Sequence, residues 1–408
     1  MWGRPVPETI SPIDSLLQVL HGKEGVERGY LLIELFDEII GQDVDSGFVI
    51  AREMLALAEA HGSDSLEGCG NHSMAEGYYY KGDYNQAKIH QRKSIQIFLA
   101  TGDTLHLARA YNAMGVLYDV TDNVDSALTM YSEALELHKF QKDSYGKSTV
   151  LGNIAYVYQK RKNYEMSLPY YQKVLAIDRK SKRTKETSVA LSNIGFLHYQ
   201  LDNLDSALYY HMQAFDLRKD SQNDLFIARS LNNIGLLYKK KGDLKQAKTY
   251  LTDALQKKRN YGNAREIALT LKNLGALYMD LEDFTMARDN LEEAQQILDT
   301  LERTDISTNN LKYLAEAYAG LGNYKKAYET EVRHQYLQDS LDVSENDQHL
   351  NEVLAELNSV QQQRELDSLL HRDELNNQRL EAASRRNEMF VIFIGVLALL
   401  AVGIIVLI

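Results

Sequence analysis

Residues 231–238 read Leu-Asn-Asn-Ile-Gly-Leu-Leu-Tyr; a turn follows at Gly242-Asp243, and then come Leu244-Lys245-Gln246-Ala247 and a second small residue at Ala254. Apolar side chains recur at helical spacing on both sides of the turn, which predicts two helices folded back on each other. Stepping outward by forty residues finds the pattern again without one insertion. Gly235 aligns with Ala75, Gly115, Ala155, Gly195, Gly275 and Ala315, and Tyr238 with Tyr78, Tyr118, Tyr158, His198, Tyr278 and Tyr318. The turn recurs at Asp83, Asn123, Asn163, Asn203, Asp283 and Asn323, and the small residue behind it at Ala87, Ala127, Ser167, Ala207, Ala287 and Ala327. One further step back, Leu35, Asp43 and Gly47 form a degenerate copy, so about eight hairpins are expected. Small residues on both helices let the backbones approach where they cross, and the tyrosine a turn later fills the groove beside them. A lone hairpin cannot bury its apolar face, so neighbours must stack into an α-solenoid.

Composition agrees with an all-α chain. Of four prolines, three (Pro5, Pro7 and Pro12) lie in the first dozen residues, and beyond them only Pro169 remains, early in a second helix, where at most a local bend is expected. An apolar content of 44% with 25% charged residues excludes a wholly disordered chain. The 57 acidic and 45 basic side chains leave a net charge of −12, which argues against a nucleic-acid partner. A single cysteine, Cys69, excludes an intrachain disulfide and a thiolate metal cluster. No P-loop, Gly-rich dinucleotide turn, G-x-S-x-G elbow or H-E-x-x-H motif is present, so no catalytic residue, metal or cofactor is expected and the chain reads as non-enzymatic. His198 and His211 stand in tyrosine rows and read as packing residues. Lys239-Lys240-Lys241 and Lys257-Lys258-Arg259 read as solvated helix ends, and Glu292-Glu293 as a solvated surface pair.

The recurring Leu231–Tyr238, Gly242–Ala247 and Ala254 landmarks resemble the tetratricopeptide repeat (TPR), over roughly residues 26 to 340. The period is forty here rather than thirty-four, which implies longer helices, and the proline that often closes the repeat is absent. The resemblance implies a right-handed superhelix whose first helices line a concave face.

On that face one residue type repeats without a packing reason of its own: Asn153, Asn193, Asn233 and Asn273 each stand two residues before the landmark Gly or Ala. Asparagine costs several tenths of a kcal/mol against alanine inside a helix. An amide offers one acceptor and two donors, which suits the backbone of an extended peptide or a protein segment. Some TPR proteins hold peptides with such ladders, and these positions resemble theirs; Asn112 and Asn232 extend the strip less regularly. The other reading, equally open, is that each amide bonds the neighbouring hairpin and sets the superhelical pitch.

Beyond the array (residues 13–342, after an extended segment 1–12), residues 343–388 read as a coiled-coil-like helix. Leu350, Val353, Leu357 and Val360 make one seam; after a break at Gln361-Gln362-Gln363, Leu366, Leu369, Leu380 and Ala383 make a weaker one. A homodimer through 344–388 is expected from this pattern. Residues 389–408, MFVIFIGVLALLAVGIIVLI, carry no charge and would span roughly 30 Å as a helix, the thickness of a bilayer core. A single-pass membrane protein is expected. The order of array, coiled segment and membrane helix resembles the sensory half of bacterial membrane signalling proteins of histidine-kinase or transcriptional-regulator type, which implies a periplasmic array and a truncated chain lacking its signal peptide and cytoplasmic output. The positive-inside rule applied to Arg385 and Arg386 gives the alternative, a tail-anchored cytoplasmic scaffold.

Overall fold

The structure is a computed structural model that describes residues 12–139, 143–221, 224–301 and 304–341. The chain divides into two compact units, Met1–His334 and Gln335–Ile408. The first is the repeat array. A short helix α1 (Pro12–Leu20) packs on α2 (Gly25–Ile39), which pairs with α3 (Val44–His61). Six further hairpins follow: α4 (Asp64–Tyr80) with α5 (Tyr84–Thr101), α6 (Thr104–Val120) with α7 (Val124–Leu137), α8 (Ser144–Lys160) with α9 (Tyr164–Lys180), α10 (Thr184–Gln200) with α11 (Leu204–Arg218), α12 (Asp224–Lys240) with α13 (Leu244–Tyr261), and α14 (Ala264–Asp280) with α15 (Phe284–Thr300). The eighth begins with α16 (Thr304–Gly320) and continues into helical residues 324–334. No strand occurs among the described residues. Pro169 lies inside α9, which runs through it unbroken.

Each landmark of the repeat has a mechanical cause. The landmark aromatic gives its carbonyl to the N–H of the turn residue five positions on, as in Asp83 to Tyr78 (3.0 Å), Asn163 to Tyr158 (2.9 Å), Asn203 to His198 (2.8 Å) and Asp283 to Tyr278 (3.0 Å). Such a six-to-one bond closes a helix when the residue before the turn takes the left-handed conformation. It does so at Gly82, Asp122, Lys162, Asp202, Gly242, Glu282 and Gly322, with φ between +54° and +83°. The turn residue then caps the second helix: Asp83, Asn123, Asn163, Asp243 and Asp283 accept the N–H three residues on.

The small residue of the first helix sits where the second helix crosses. A Cβ on Gly235 would stand 2.7 Å from Leu251 Cγ, and one on Gly275 2.4 Å from Leu291 Cγ. Gly115 faces Tyr131 and Gly195 faces His211 in the same way. The tyrosine a turn later stacks on a ring twelve residues further: Tyr158 on Tyr170 (5.7 Å), His198 on Tyr210 (5.3 Å) and Tyr238 on Tyr250 (5.4 Å). His198 thus takes a tyrosine's place. His211, only 3% exposed, fills the Tyr131 position, and burial pushes its pKa down to about 4, so it packs as a neutral ring.

The basic clusters are not simply solvated helix ends; they tie neighbouring hairpins together. Lys239 pairs with Asp280 (2.8 Å), Lys240 with Asp202 (2.7 Å), Lys241 with Asp205, Lys257 with Asp224 (2.8 Å) and Arg259 with Glu293 (2.7 Å). Glu292 likewise accepts from the Tyr318 hydroxyl. Lys258 is 2% exposed and reaches Glu266 (2.9 Å) and Thr270 (2.8 Å) of the next first helix. Counting by forty places Lys258 in a row with Phe98, His138, Asp178, Arg218 and Leu298, all buried. Arg218 there bonds Ser188 before it and Ser230 after it, and Asp178 accepts from Ser148 and Arg183. This row seats a polar wedge at several joints, so each joint is chemically distinct although the backbone repeats.

Candidate ligand-binding groove

Consecutive first helices touch along the array, α2 with α4, α4 with α6, α6 with α8, α12 with α14 and α14 with α16; no two second helices approach to that extent. The first helices therefore line the inner, concave side. All six asparagines expected on that face are half-buried on first helices. The structure separates them into two kinds. Asn153 Nδ2 donates to Asn112 Oδ1 (2.8 Å) and Asn273 Nδ2 to Asn232 Oδ1 (3.1 Å), so these four bridge α6 to α8 and α12 to α14. Asn193 and Asn233 have no side-chain hydrogen bond among the described residues, which leaves two amides in mid-groove with unspent donors and acceptors. Three residues beyond each landmark asparagine runs a second row: Tyr156, Phe196, Leu236 and Ala276, with Val116 in register on α6. Tyr156 and Phe196 are exposed, unlike the core aromatics behind them. An amide row beside an apolar row is what an extended chain needs, one for its backbone and one for its side chains.

Toward the N-terminal repeats the same rows open into a cavity of about 450 Å³. Ser73 and Ala113 replace the asparagine there, and Glu76 replaces the apolar residue. The walls are apolar at Ile33, Cys69, Phe98, Val116 and Val150. Charged and titratable groups reach in from every side: Asp37 from α2, His72 and Glu76 from α4, His106 and Arg109 from α6, His138 beyond α7, and Asp143 before α8. His106 pairs with Asp103 (2.7 Å), and His72 Nδ1 bonds Gln91 Oε1 (3.1 Å), burial holding His72 down at about 4 and therefore neutral. Burial, with the Asp37 charge, pushes Glu76 up to about 7. Asp37, at the open rim, is raised by the surrounding protein while Arg109 pulls it back. Burial drives the Cys69 thiol up to about 12, which keeps it protonated and slow to react in the apolar wall.

Counting by forty does not reveal this cavity, because its residues come from four hairpins and most of them do not repeat. The signal in the sequence is the departure from the pattern: Ser73 and Glu76 stand where later repeats carry Asn and an apolar residue. Among the described residues no group of His, Cys, Asp and Glu could hold a metal ion.

Stacked helical hairpins whose first helices share one inner face define an α-solenoid. The tetratricopeptide repeat family model matches residues 66–140, 146–220, 186–260 and 226–300, more than half of the chain, and the protein belongs to that family. No match was found among curated proteins. Among solved structures, the chain is similar to the apo form of the quorum sensor NprR from B. thuringiensis, at 16% identity and a TM-score of 0.60, covering 80% of this chain and 92% of that one. It is also similar to aspartyl phosphate phosphatase F from Bacillus subtilis, at 14% identity and TM-score 0.56, covering 83% and 96%. A signal transduction ATPase with a tetratricopeptide repeat sensor, PH0952 from Pyrococcus horikoshii, aligns at 14% identity and TM-score 0.65 over 82% of this chain and 52% of that one. At these identities the likeness is one of fold.

No helix among the described residues is long and apolar enough to cross a membrane. The expected membrane helix at 389–408 and the coiled segment at 343–388 lie outside the described residues.

Proposed function

We propose that this TPR array binds an extended peptide, or an extended segment of a protein, along its concave face. The observation that carries the reading is the double row on the first helices, with Asn193 and Asn233 unpartnered beside Phe196 and Leu236. The finer reading is a membrane-tethered sensor: residues 389–408 form the tether, 344–388 pair two copies, and a ligand that binds one superhelical pitch better than another biases the array and relays the change toward an output module. The likeness to a quorum sensor and to a sensor-bearing signal transduction ATPase supports a sensing role. The array lies in the periplasm in this reading. The Arg385-Arg386 flank favours a second reading, a cytoplasmic scaffold anchored by the same tail.

The test is the double substitution Asn193→Ala/Asn233→Ala in the full chain, set against hexapeptides selected from a randomised library on the unsubstituted protein. Loss of peptide affinity by at least about tenfold is expected, the size of one or two lost hydrogen bonds. Because both amides lack protein partners, stability should rise by roughly 1 kcal/mol through helix propensity. Unchanged affinity with a lowered melting temperature would mean that these amides hold the array together and do not bind.

A further inference from the structure

The cavity at the N-terminal end of the groove differs from the rest in what it leaves unsatisfied. Ser73 is 3% exposed and lines the cavity, yet its hydroxyl has no hydrogen-bond partner among the described residues. Glu76, one turn along α4, has neither an ion pair nor a hydrogen bond there, and Asp37 across the rim has none either. A nine-tenths-buried hydroxyl and a half-buried carboxylate facing one space cost free energy unless a donor enters to meet them. Such a donor is cationic by the balance of charge, since Glu76, Asp37 and Asp143 line the space against Arg109 alone, His72 being neutral and His106 paired with Asp103. It must also arrive on an apolar stem, since Cys69, Phe98 and Ile33 form the walls.

We propose that this cavity is the terminal subsite of the groove and receives a primary ammonium group of the bound chain, held by Glu76 and Ser73 with Asp37 at the rim. The proposal rests on the groove binding an extended chain. An ammonium carries three donors, one for each of these acceptors. The site lies on α4 and α2, on the same inner face as the amide rows; with first helices about 10 Å apart it stands roughly 40 Å from Asn233, a span for a bound chain of about twelve or more extended residues. Arg109, on α6, has no ion pair among the described residues, which lets it stand off from the entering cation or turn to a neighbouring backbone carbonyl. Two sources supply an ammonium: the N-terminus of a peptide, or a lysine side chain.

Cys69 gives a local reporter, because it is the chain's single cysteine and lies in the cavity wall. The rate of its methylthiolation by methyl methanethiosulfonate is measured on the full chain with 2-phenylethylammonium, with 2-phenylethanol and with 3-phenylpropionate. The ammonium probe is expected to slow labelling saturably, and the neutral and anionic probes to leave it unchanged at equal concentration. Glu76→Gln should weaken that protection at least about tenfold, as loss of a charge-assisted hydrogen bond requires, and Ser73→Ala by a smaller factor. Glu76→Gln keeps the side-chain shape and removes a buried charge, so it folds. Protection by N-acetylated, C-amidated Ala-Ala-Lys-Ala-Ala would assign the site to a lysine, and protection by unblocked penta-alanine amide to an N-terminus; either supports the proposal. Equal protection by all three small probes, protection by none, or protection by phenylpropionate that is lost in Arg109→Gln would overturn it. Failure here is separable from failure of the groove: selected peptides of about fifteen residues, long enough to span α12 to α4, that depend on Asn193 and Asn233 but not on Glu76 leave the groove standing and remove the ammonium pocket alone.

Discussion

Glu76 makes the stability of the N-terminal repeats depend on pH in a direction opposite to most carboxylates. A carboxyl moved from its ordinary 4.5 to about 7 by burial is penalised in its ionised form. At 1.36 kcal/mol per pH unit the penalty comes to about 3 kcal/mol. The sign follows from proton counting. Between pH 4.5 and 7 the folded state holds a proton that the unfolded state has released, so stability falls as pH rises through that window and levels off above it. Glu76→Gln removes the titration and keeps the shape. After about 1 kcal/mol for burying the amide, the variant should match the wild type or fall slightly below it at pH 4.5, and exceed it by about 2 kcal/mol at pH 8. His72 and His211 titrate in both proteins and cancel in the difference, while the Asp37 charge is one of the causes of the Glu76 shift and is counted within it. Solenoids open locally, so the assay is native-state hydrogen exchange of the α4 and α5 amides at the two pH values, with thermal midpoints alongside. A wild type-to-variant difference that stays the same from pH 4.5 to pH 8 would refute the reasoning, for it would mean that Glu76 is ionised and solvated in the folded array.

Further perturbations follow from the repeat's geometry. Gly275→Ala should cost about 1–3 kcal/mol, because its Cβ would meet Leu291 Cγ at 2.4 Å, whereas Gly152→Ala, with nothing within 4 Å, should gain about 1 kcal/mol of helix propensity; both are read from urea unfolding. Lys162→Gly relieves a left-handed φ of +57° on a non-glycine residue and should stabilise by about 1 kcal/mol in thermal unfolding, an outcome that a loss of stability would exclude. Lys258→Met strands Glu266 with Arg229 as its remaining ion-pair partner and should cost at least about 2 kcal/mol, while adding Glu266→Leu should recover part of that loss; a double-mutant cycle with no coupling would remove the buried pair from the account.

The sequence made the hairpins legible because their requirements recur. A left-handed turn position, a capping Asp or Asn, a Gly or Ala at the crossing and an aromatic one turn on are each dictated by backbone geometry, and backbone geometry is identical in every unit. The joints between units were less legible. The row through His138, Asp178, Arg218 and Lys258 keeps its spacing but changes its chemistry at each step, since all it must do is fill a gap and find partners on whichever first helix it meets. The basic clusters misled for a related reason. A run of lysines on one helix looks solvated until the acidic residues forty positions away, at Asp202, Asp205 and Asp280, are brought beside it. The six asparagines were visible as a row, but sequence spacing does not distinguish an amide that bonds the next hairpin from one that bonds nothing.

That distinction bears on how a groove of this kind comes to bind. Asn153 and Asn273 each spend their amide on a neighbour one repeat back, Asn112 and Asn232, and those two bonds fix the spacing of first helices at either side of the centre. Between them α10 and α12 carry the same residue with its partner missing. The array therefore presents its free amides where its inner wall is held on both flanks by bonds of the same type, and the side chains that the proposed ligand would meet are positioned before it arrives. Preorganisation of that sort lowers the ordering cost of binding without adding a contact. On the proposed reading, the several tenths of a kcal/mol that asparagine costs the helix at Asn193 and Asn233 would be offset when a ligand occupies the amide. At the N-terminal end the same logic is carried further, from an unspent amide to an unspent carboxylate and a buried hydroxyl. A chain bound along the groove would then be read in two ways, by its backbone in the middle and by its charge at one end.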